Sequence, residues 1–130
     1  MTAQRTHTLL KKERLRGEIR VANLFVKGKA FISYPFRVVY IEGSEKKDIS
    51  AQLLFSVPKK RFKSAVKRNR LKRQMKEAYR LHKHLLLEFL ENKNKSLQIA
   101  ITYVSDDQLP YAEIEKKMIA TLQKLQNEIG

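Results

Sequence analysis

Apolar residues along this chain change spacing several times, and each change marks an element. Between Lys12 and Lys27 they fall at Leu15, Ile19, Val21, Ala22, Leu24 and Phe25. That is mostly helical spacing, with Gly28 placed as a C-terminal cap, so a helix is predicted there. Over 31–41 the period becomes two: Phe36, Val38 and Tyr40 alternate with Arg37, Val39 and Ile41. A strand follows, with Pro35 suited to its start or to an edge. Residues 42–48 read as a turn or a longer hairpin loop. Ala51 to Val57 is apolar apart from Gln52 and Ser56, which suits a well-buried strand. Pro58 ends it by removing a ladder donor. Ser64 is a suitable N-cap for a long helix to about Asn92. Leu97 to Val104 reads as a strand and 105–109 as a loop. Pro110 then opens a last helix with Ile114, Met118, Leu122 and Leu125 on one side. Residues 1–10 are polar and expected to be loosely packed. The class is α+β, a small sheet with helices packed against it, in one domain over 1–130.

Charge sharpens this picture. Of the 28 Lys/Arg, twelve lie in residues 59–83, where Glu77 is the single acid. The window therefore holds +11 of the chain's +15. Advancing about 100° per residue along the long helix splits it in two. Leu71, Met75, Ala78, Tyr79, His82, Leu85, Leu86, Phe89 and Leu90 form a broad apolar face. Asn69, Lys72, Arg73, Lys76, Arg80 and Lys83 form a cationic ridge, with Arg70 further round and Arg68 at the helix start. Ordinary solvated faces interleave both signs, because like pairs at i,i+3 and i,i+4 repel by a few tenths of a kcal/mol each. Here Arg68/Lys72, Lys72/Lys76, Arg73/Lys76 and Lys76/Arg80 are all like-charged. A helix that keeps such repulsion is built for a polyanion. Guanidinium groups suit phosphate, and the Asn69 amide can meet base edges or ribose hydroxyls. Charge composition alone does not separate RNA from DNA.

The remaining chemistry is thin. Cysteine is absent, which excludes disulfides and thiolate metal sites and fits a reducing, cytoplasmic setting. No run of about 18 apolar residues exists, so no membrane partner is expected. No secretory signal is visible at the N-terminus. His82 and His84 point about 200° apart on one straight helix and cannot share a metal. Asp106-Asp107 before Pro110 suits turn and cap roles better than Mg²⁺ binding. Glu77 is a local charge partner. No catalytic residue and no metal site is expected in the chain.

The residues around the ridge then become specific. Phe62-x-x-Ala65-x-x-Arg68-Asn69-Arg70-Leu71-Lys72-Arg73-x-Met75-Lys76 resembles the signature helix of the bacterial ribonuclease P protein family. Ser56-Val57-Pro58-Lys59-Lys60, Phe25-x-x-Gly28 and Gln108-Leu109-x-Tyr111-x-Glu113 resemble its flanking segments, in the right order. Lys63-Ser64 stand where the family commonly has Gly-Asn, and Pro58 where it often has Ser. The resemblance covers roughly 15–125. It implies an α-β-β-β-α-β-α order, a four-stranded sheet and a left-handed βαβ crossover. It implies a subunit of an endoribonuclease that removes the 5′ leader of precursor tRNA, with cleavage done by an RNA subunit and its Mg²⁺. On that basis Lys59, Lys60, Arg61, Lys67, Arg68, Asn69, Arg70, Lys72, Arg73, Lys76 and Arg80 are expected to bind ribonuclease P RNA. The leader of the precursor tRNA is expected in a cleft between the first helix and the sheet. For any one of Phe25, Phe31, Phe36 and Tyr40 core packing is the commoner reading; one or two of them are expected to line the cleft, and Phe25 and Tyr40 are the preferred stacking pair. The alternative is a ribosomal or other structural RNA-binding protein. A DNA-binding module is disfavoured, because a strand and another helix follow the signature.

Overall fold

The computed structural model describes residues 14, 15, 18–43 and 50–130. The elements are α1 (Glu18–Lys27), β1 (Lys29–Ser33), β2 (Phe36–Glu42), β3 (Ala51–Ser56), α2 (Ala65–His82), α3 (His84–Lys93), β4 (Leu97–Tyr103) and α4 (Tyr111–Ile129). The strands form one mixed sheet in the order β1-β2-β4-β3. β1 and β4 both pair antiparallel with β2, and β3 runs parallel to β4. Parallel neighbours need a long crossover, and α2 with α3 supplies it.

Both faces of the sheet are covered, which explains why its strands are so apolar. On one face Phe36, Val38, Tyr40, Leu53, Phe55, Leu97, Ile99, Ile101 and Tyr103 pack with α2, α3 and α4 in the main core. On the other, Val39 and Ala100 pack with Leu24 of α1 and with Leu15, flanked by Val21, Ile41 and Leu54. α1 is short and leaves part of its face open. Ile32 and its cross-strand partner Arg37 stay exposed there.

Four sequence expectations are corrected or refined. The first helix spans Glu18–Lys27 and Leu15 lies outside it, while residues 12, 13, 16 and 17 lie outside the described residues. Leu15 is instead extended: its N–H donates to the Leu53 carbonyl at 2.8 Å, and Arg14 bridges Leu53 in parallel. This contact lies on β3, the strand that ends the sheet. Helical spacing could not announce it, because the gain comes from a distant strand. Second, the strand period over 31–41 covers two strands, which completes the β-β-β run that the resemblance implies. Tyr34 and Pro35 turn the chain between β1 and β2, and their peptide bond is cis. Third, β2 and β3 are not a hairpin, since β4 lies between them. Residues 44–49 of that connection, like residues 1–10, lie outside the described residues. Fourth, the long helix is kinked at Lys83, whose carbonyl accepts from both Leu86 and Leu87 at 3.0 and 2.9 Å. Lys83 keeps helical angles (φ −61°, ψ −23°), so neither a proline nor a glycine marks the break. It is also buried, so it leaves the cationic ridge where a straight helix had placed it.

The helix ends follow local chemistry. Ser64 caps α2, its side chain accepting from Lys67 N–H at 3.3 Å. Asn94 ends α3 in the left-handed region (φ 55°), and Lys95 N–H returns to the Leu90 carbonyl. Gly28 ends α1 through its N–H to the Leu24 carbonyl at 2.8 Å. A Cβ on Gly28 would sit 2.4 Å from that carbonyl oxygen and 2.8 Å from Val39 Cγ1. Neither neighbour can retreat without moving α1 off the sheet. Gly28→Ala should therefore cost about 1–3 kcal/mol, as overpacking does. In urea the midpoint should fall while the m-value holds. An unchanged midpoint would mean that α1 is not seated this closely.

Candidate nucleic-acid interface

Burial divides α2 lengthwise. Leu71, Met75, Ala78 and Tyr79 are fully buried. Lys67, Asn69, Arg70 and Arg73 are exposed, and Lys72 and Lys76 are half-buried at the border. Lys59 and Lys60 extend the strip from the exposed turn before the helix. The Lys76 ammonium is held below its usual range, first by burial and then by the charges of Arg14 and Lys72. Arg14 thus adds positive charge to the strip. Sequence reasoning missed it, because only the Leu15–Leu53 contact brings it there.

The other three predicted cations are already engaged. Arg61 Nη1 pairs with Asp106 Oδ1 at 3.0 Å. Arg68 Nη1 donates to the Phe62 and Lys63 carbonyls at 2.7 and 2.9 Å, tying the loop to the helix it precedes. Arg80 grips Glu77 with two bonds of 2.9 and 2.7 Å. Those hydrogen bonds, with the positive charge behind them, keep the Glu77 carboxyl below the usual range. The outward strip is therefore narrower than the sequence suggested, and nearly all of one sign.

The sequence profile of the family described as Ribonuclease P matches residues 9–126. The chain belongs to the ribonuclease P protein family. It is 43% identical over 129 residues to the ribonuclease P protein component of Porphyromonas gingivalis, covering 99% of this chain and 94% of that protein. The protein component of Chlorobium phaeobacteroides is 34% identical over 131 residues, covering 94% and 90%. Among solved structures, the RNase P protein of Staphylococcus aureus superposes with TM-score 0.67 at 22% identity, over 88% of this chain and 95% of that one. That of Thermotoga maritima gives 0.68 at 21%, over 85% and 96%. These likenesses show the same α+β fold, and family membership makes this a component of a tRNA-processing ribonucleoprotein.

The structure does not bring the two leader-cleft candidates of this ribonuclease P protein together. Phe25 projects from α1 and is 45% exposed. Tyr40 is 5% exposed and belongs to the main core on the opposite face. Its ring meets Phe31 edge-on at 6.1 Å, and its hydroxyl donates to Glu128 Oε1 at 3.4 Å. Burial, then Glu128, raises its pKa. The period of two explains the miss. Arg37, Val39 and Ile41 face α1, so Tyr40 must face away. Phe31 packs against the main core and Phe36 lies within it, so Phe31, Phe36 and Tyr40 all follow the commoner core reading.

The residues weighed for catalysis take local roles. His82 Nε2 lies 2.8 Å from Glu115 Oε2. The His82 and His84 rings lie 6.5 Å apart. Asp106 pairs with Arg61, and the Asp107 N–H is held by Ser105 Oγ at 3.0 Å. Among the described residues no group of three His, Cys, Asp or Glu could hold a metal ion. No helix there is long and apolar enough to cross a membrane.

Two neighbouring arginines should thus behave differently. Arg68→Ala removes a charged donor from two carbonyls and should cost about 1.5–3 kcal/mol of stability. Arg70→Ala, on the exposed side, should stay within about 0.5 kcal/mol of the parent. Urea denaturation of both variants checks this. Equal losses would mean that Arg68 is not anchored as described.

Proposed function

We propose that this chain binds the catalytic RNA of ribonuclease P through the exposed strip of α2, and the 5′ leader of precursor tRNA on the α1 face of the sheet. The observation that carries this reading is the contrast across α2. One side is sealed in the core. The other keeps Lys67, Arg70, Lys72, Arg73 and Lys76 within about two and a half turns, with Asn69 among them. Such a surface is stable only at a cost in self-repulsion, and a polyphosphate backbone removes that cost. Lys59 and Lys60 prolong the contact. Arg61, Arg68 and Arg80 shape the surface and contribute charge from its margins.

The leader surface is separate. Phe25, Ile32 and Arg37 lie exposed on the α1 side, an aromatic ring, an aliphatic patch and a cation. Unpaired bases stack on exposed rings, and a nearby guanidinium meets the phosphate. Tyr40 has no part in it. Its removal would act on packing.

Cleavage belongs to the RNA subunit with Mg²⁺ in this reading, and the protein's part is electrostatic and positional. Its cations neutralise phosphates that Mg²⁺ would otherwise have to screen. It works in the cytoplasm, where precursor tRNA is made. A purely structural ribonucleoprotein role would leave the same α2 strip without any effect on cleavage.

Reconstitution with a bacterial ribonuclease P RNA separates these. The protein should lower the Mg²⁺ concentration needed to cleave precursor tRNA. With the pre-formed holoenzyme, Phe25→Leu should shrink the preference for precursor over mature tRNA by about 1–3 kcal/mol, the stacking of one base. Tyr40→Leu should lower stability and leave that preference intact. No stimulation of cleavage would defeat the proposal. Loss of leader preference in Tyr40→Leu alone would put the leader on the other face.

A further inference from the structure

A groove of about 340 Å³ lies between α2 and the start of α4, lined by Arg70, Arg73, Gln74, Glu77 and Tyr111. Its α2 residues follow one another at helical spacing along the border between the buried face and the cationic strip. Gln74 and Tyr111 have no role in the RNA-binding reading so far. Both carry a buried polar atom, Gln74 Oε1 and the Tyr111 hydroxyl oxygen, that no protein group pairs with. Buried polar groups are nearly always paired, so two in one groove call for a partner. We propose that this groove is a nucleotide-reading notch, which takes one unpaired nucleotide of the bound RNA with its phosphate on Arg70 and Arg73 and its base edge on Gln74 and Tyr111.

The chemistry sorts the two ends of such a ligand. Arg70 and Arg73 are exposed at the rim, where guanidinium groups suit a phosphate. The floor cannot take the anion, because the Gln74 oxygen and the Glu77 carboxylate would repel it. Beneath the floor lie an acceptor at Gln74 and a donor at Tyr111, both covered in the free protein, and a base meets them when these side chains turn outward. The Tyr111 hydroxyl keeps its proton, since burial and then Glu115 and Glu77 raise its pKa. Each RNA base carries neighbouring donors and acceptors on its Watson–Crick edge that match this pair. The notch rests on the RNA-binding reading and deepens it. It makes part of the α2 contact specific for an extruded base and not for backbone charge alone.

The test uses the full chain, with inorganic phosphate, ribose 5-phosphate and the four ribonucleoside 5′-monophosphates as probes, followed by NMR at residue resolution. The nucleotides should shift the Gln74 side-chain amide and Tyr111 signals. Phosphate and ribose 5-phosphate should move only Arg70 and Arg73. Gln74→Leu with Tyr111→Phe should weaken nucleotide binding about tenfold, the loss of two hydrogen bonds, and leave phosphate binding unchanged. That variant loses two unpaired polar atoms, so its unfolding midpoint should equal or exceed the parent's. The idea is overturned if the nucleotides shift nothing that phosphate does not shift, or if the double variant binds them like the parent. Assembly of the unaltered protein with ribonuclease P RNA is measured alongside. Assembly without a base effect overturns the notch and leaves the RNA-binding reading standing. Failure to assemble overturns both.

Discussion

The burial of one edge of α2 is the contact on which the rest depends. Leu71, Met75, Ala78 and Tyr79 are sealed against the sheet and α4, so the helix cannot rotate about its axis. Its opposite arc then has to face water. Without that anchor, like charges at i,i+3 and i,i+4 would unwind the helix or splay it. With it, the core absorbs the repulsion, and a strip of cations is held at fixed spacing. Ser64 at the N-cap and Arg68 on the two loop carbonyls fix where the strip begins. Asp106 on Arg61 ties the preceding turn to the loop after β4. The few acids near the strip are used to position arginines, and they dilute the field only at its edges.

The same sheet separates two surfaces by geometry. Side chains alternate along β2, so Phe36, Val38 and Tyr40 serve the α2–α4 core while Arg37, Val39 and Ile41 serve α1. Three helices, α2, α3 and α4, share the core face and seal it, while α1 is the one helix on the other face among the described residues. α1 spans ten residues and leaves Ile32 and Arg37 uncovered. Gly28 permits α1 to turn directly into β1 against Val39, which sets how far that helix reaches. The open ground on the α1 side is therefore a consequence of helix length and one glycine. A ligand on this ground would leave the α2 strip undisturbed.

Much of this was legible in the sequence, and the failures have definite causes. α2 was placed by its serine cap, and β3, β4 and α4 by strong periodicity and by proline. The cationic strip was visible because charge in a helix window is a local property. The face of Tyr40 was not visible. Both sides of β2 carry apolar residues, since both are covered, so alternation alone could not say which side met α1. The kink at Lys83 left no mark, because its backbone stays helical and its residue type is ordinary. The β1–β2 turn was absorbed into one strand period, since β1 is only five residues long and mostly exposed. Arg14 and Tyr111 reach the α2 surface through tertiary contacts, which no window of sequence contains. Arg61, Arg68 and Arg80 look like their neighbours in the sequence, and only their hydrogen bonds set them apart.

The central claim is that phosphates occupy the exposed strip of α2, and salt tests it most directly. Five phosphates contacted by Lys67, Arg70, Lys72, Arg73 and Lys76 give a slope of log K against log[salt] of roughly −3.5 to −4.5 for ribonuclease P RNA. Replacing Arg70 and Arg73 together by alanine should make that slope shallower by roughly 1.4–1.8. A slope near zero, or one that the double replacement leaves unchanged, would mean that the strip is merely solvated and that the RNA binds elsewhere.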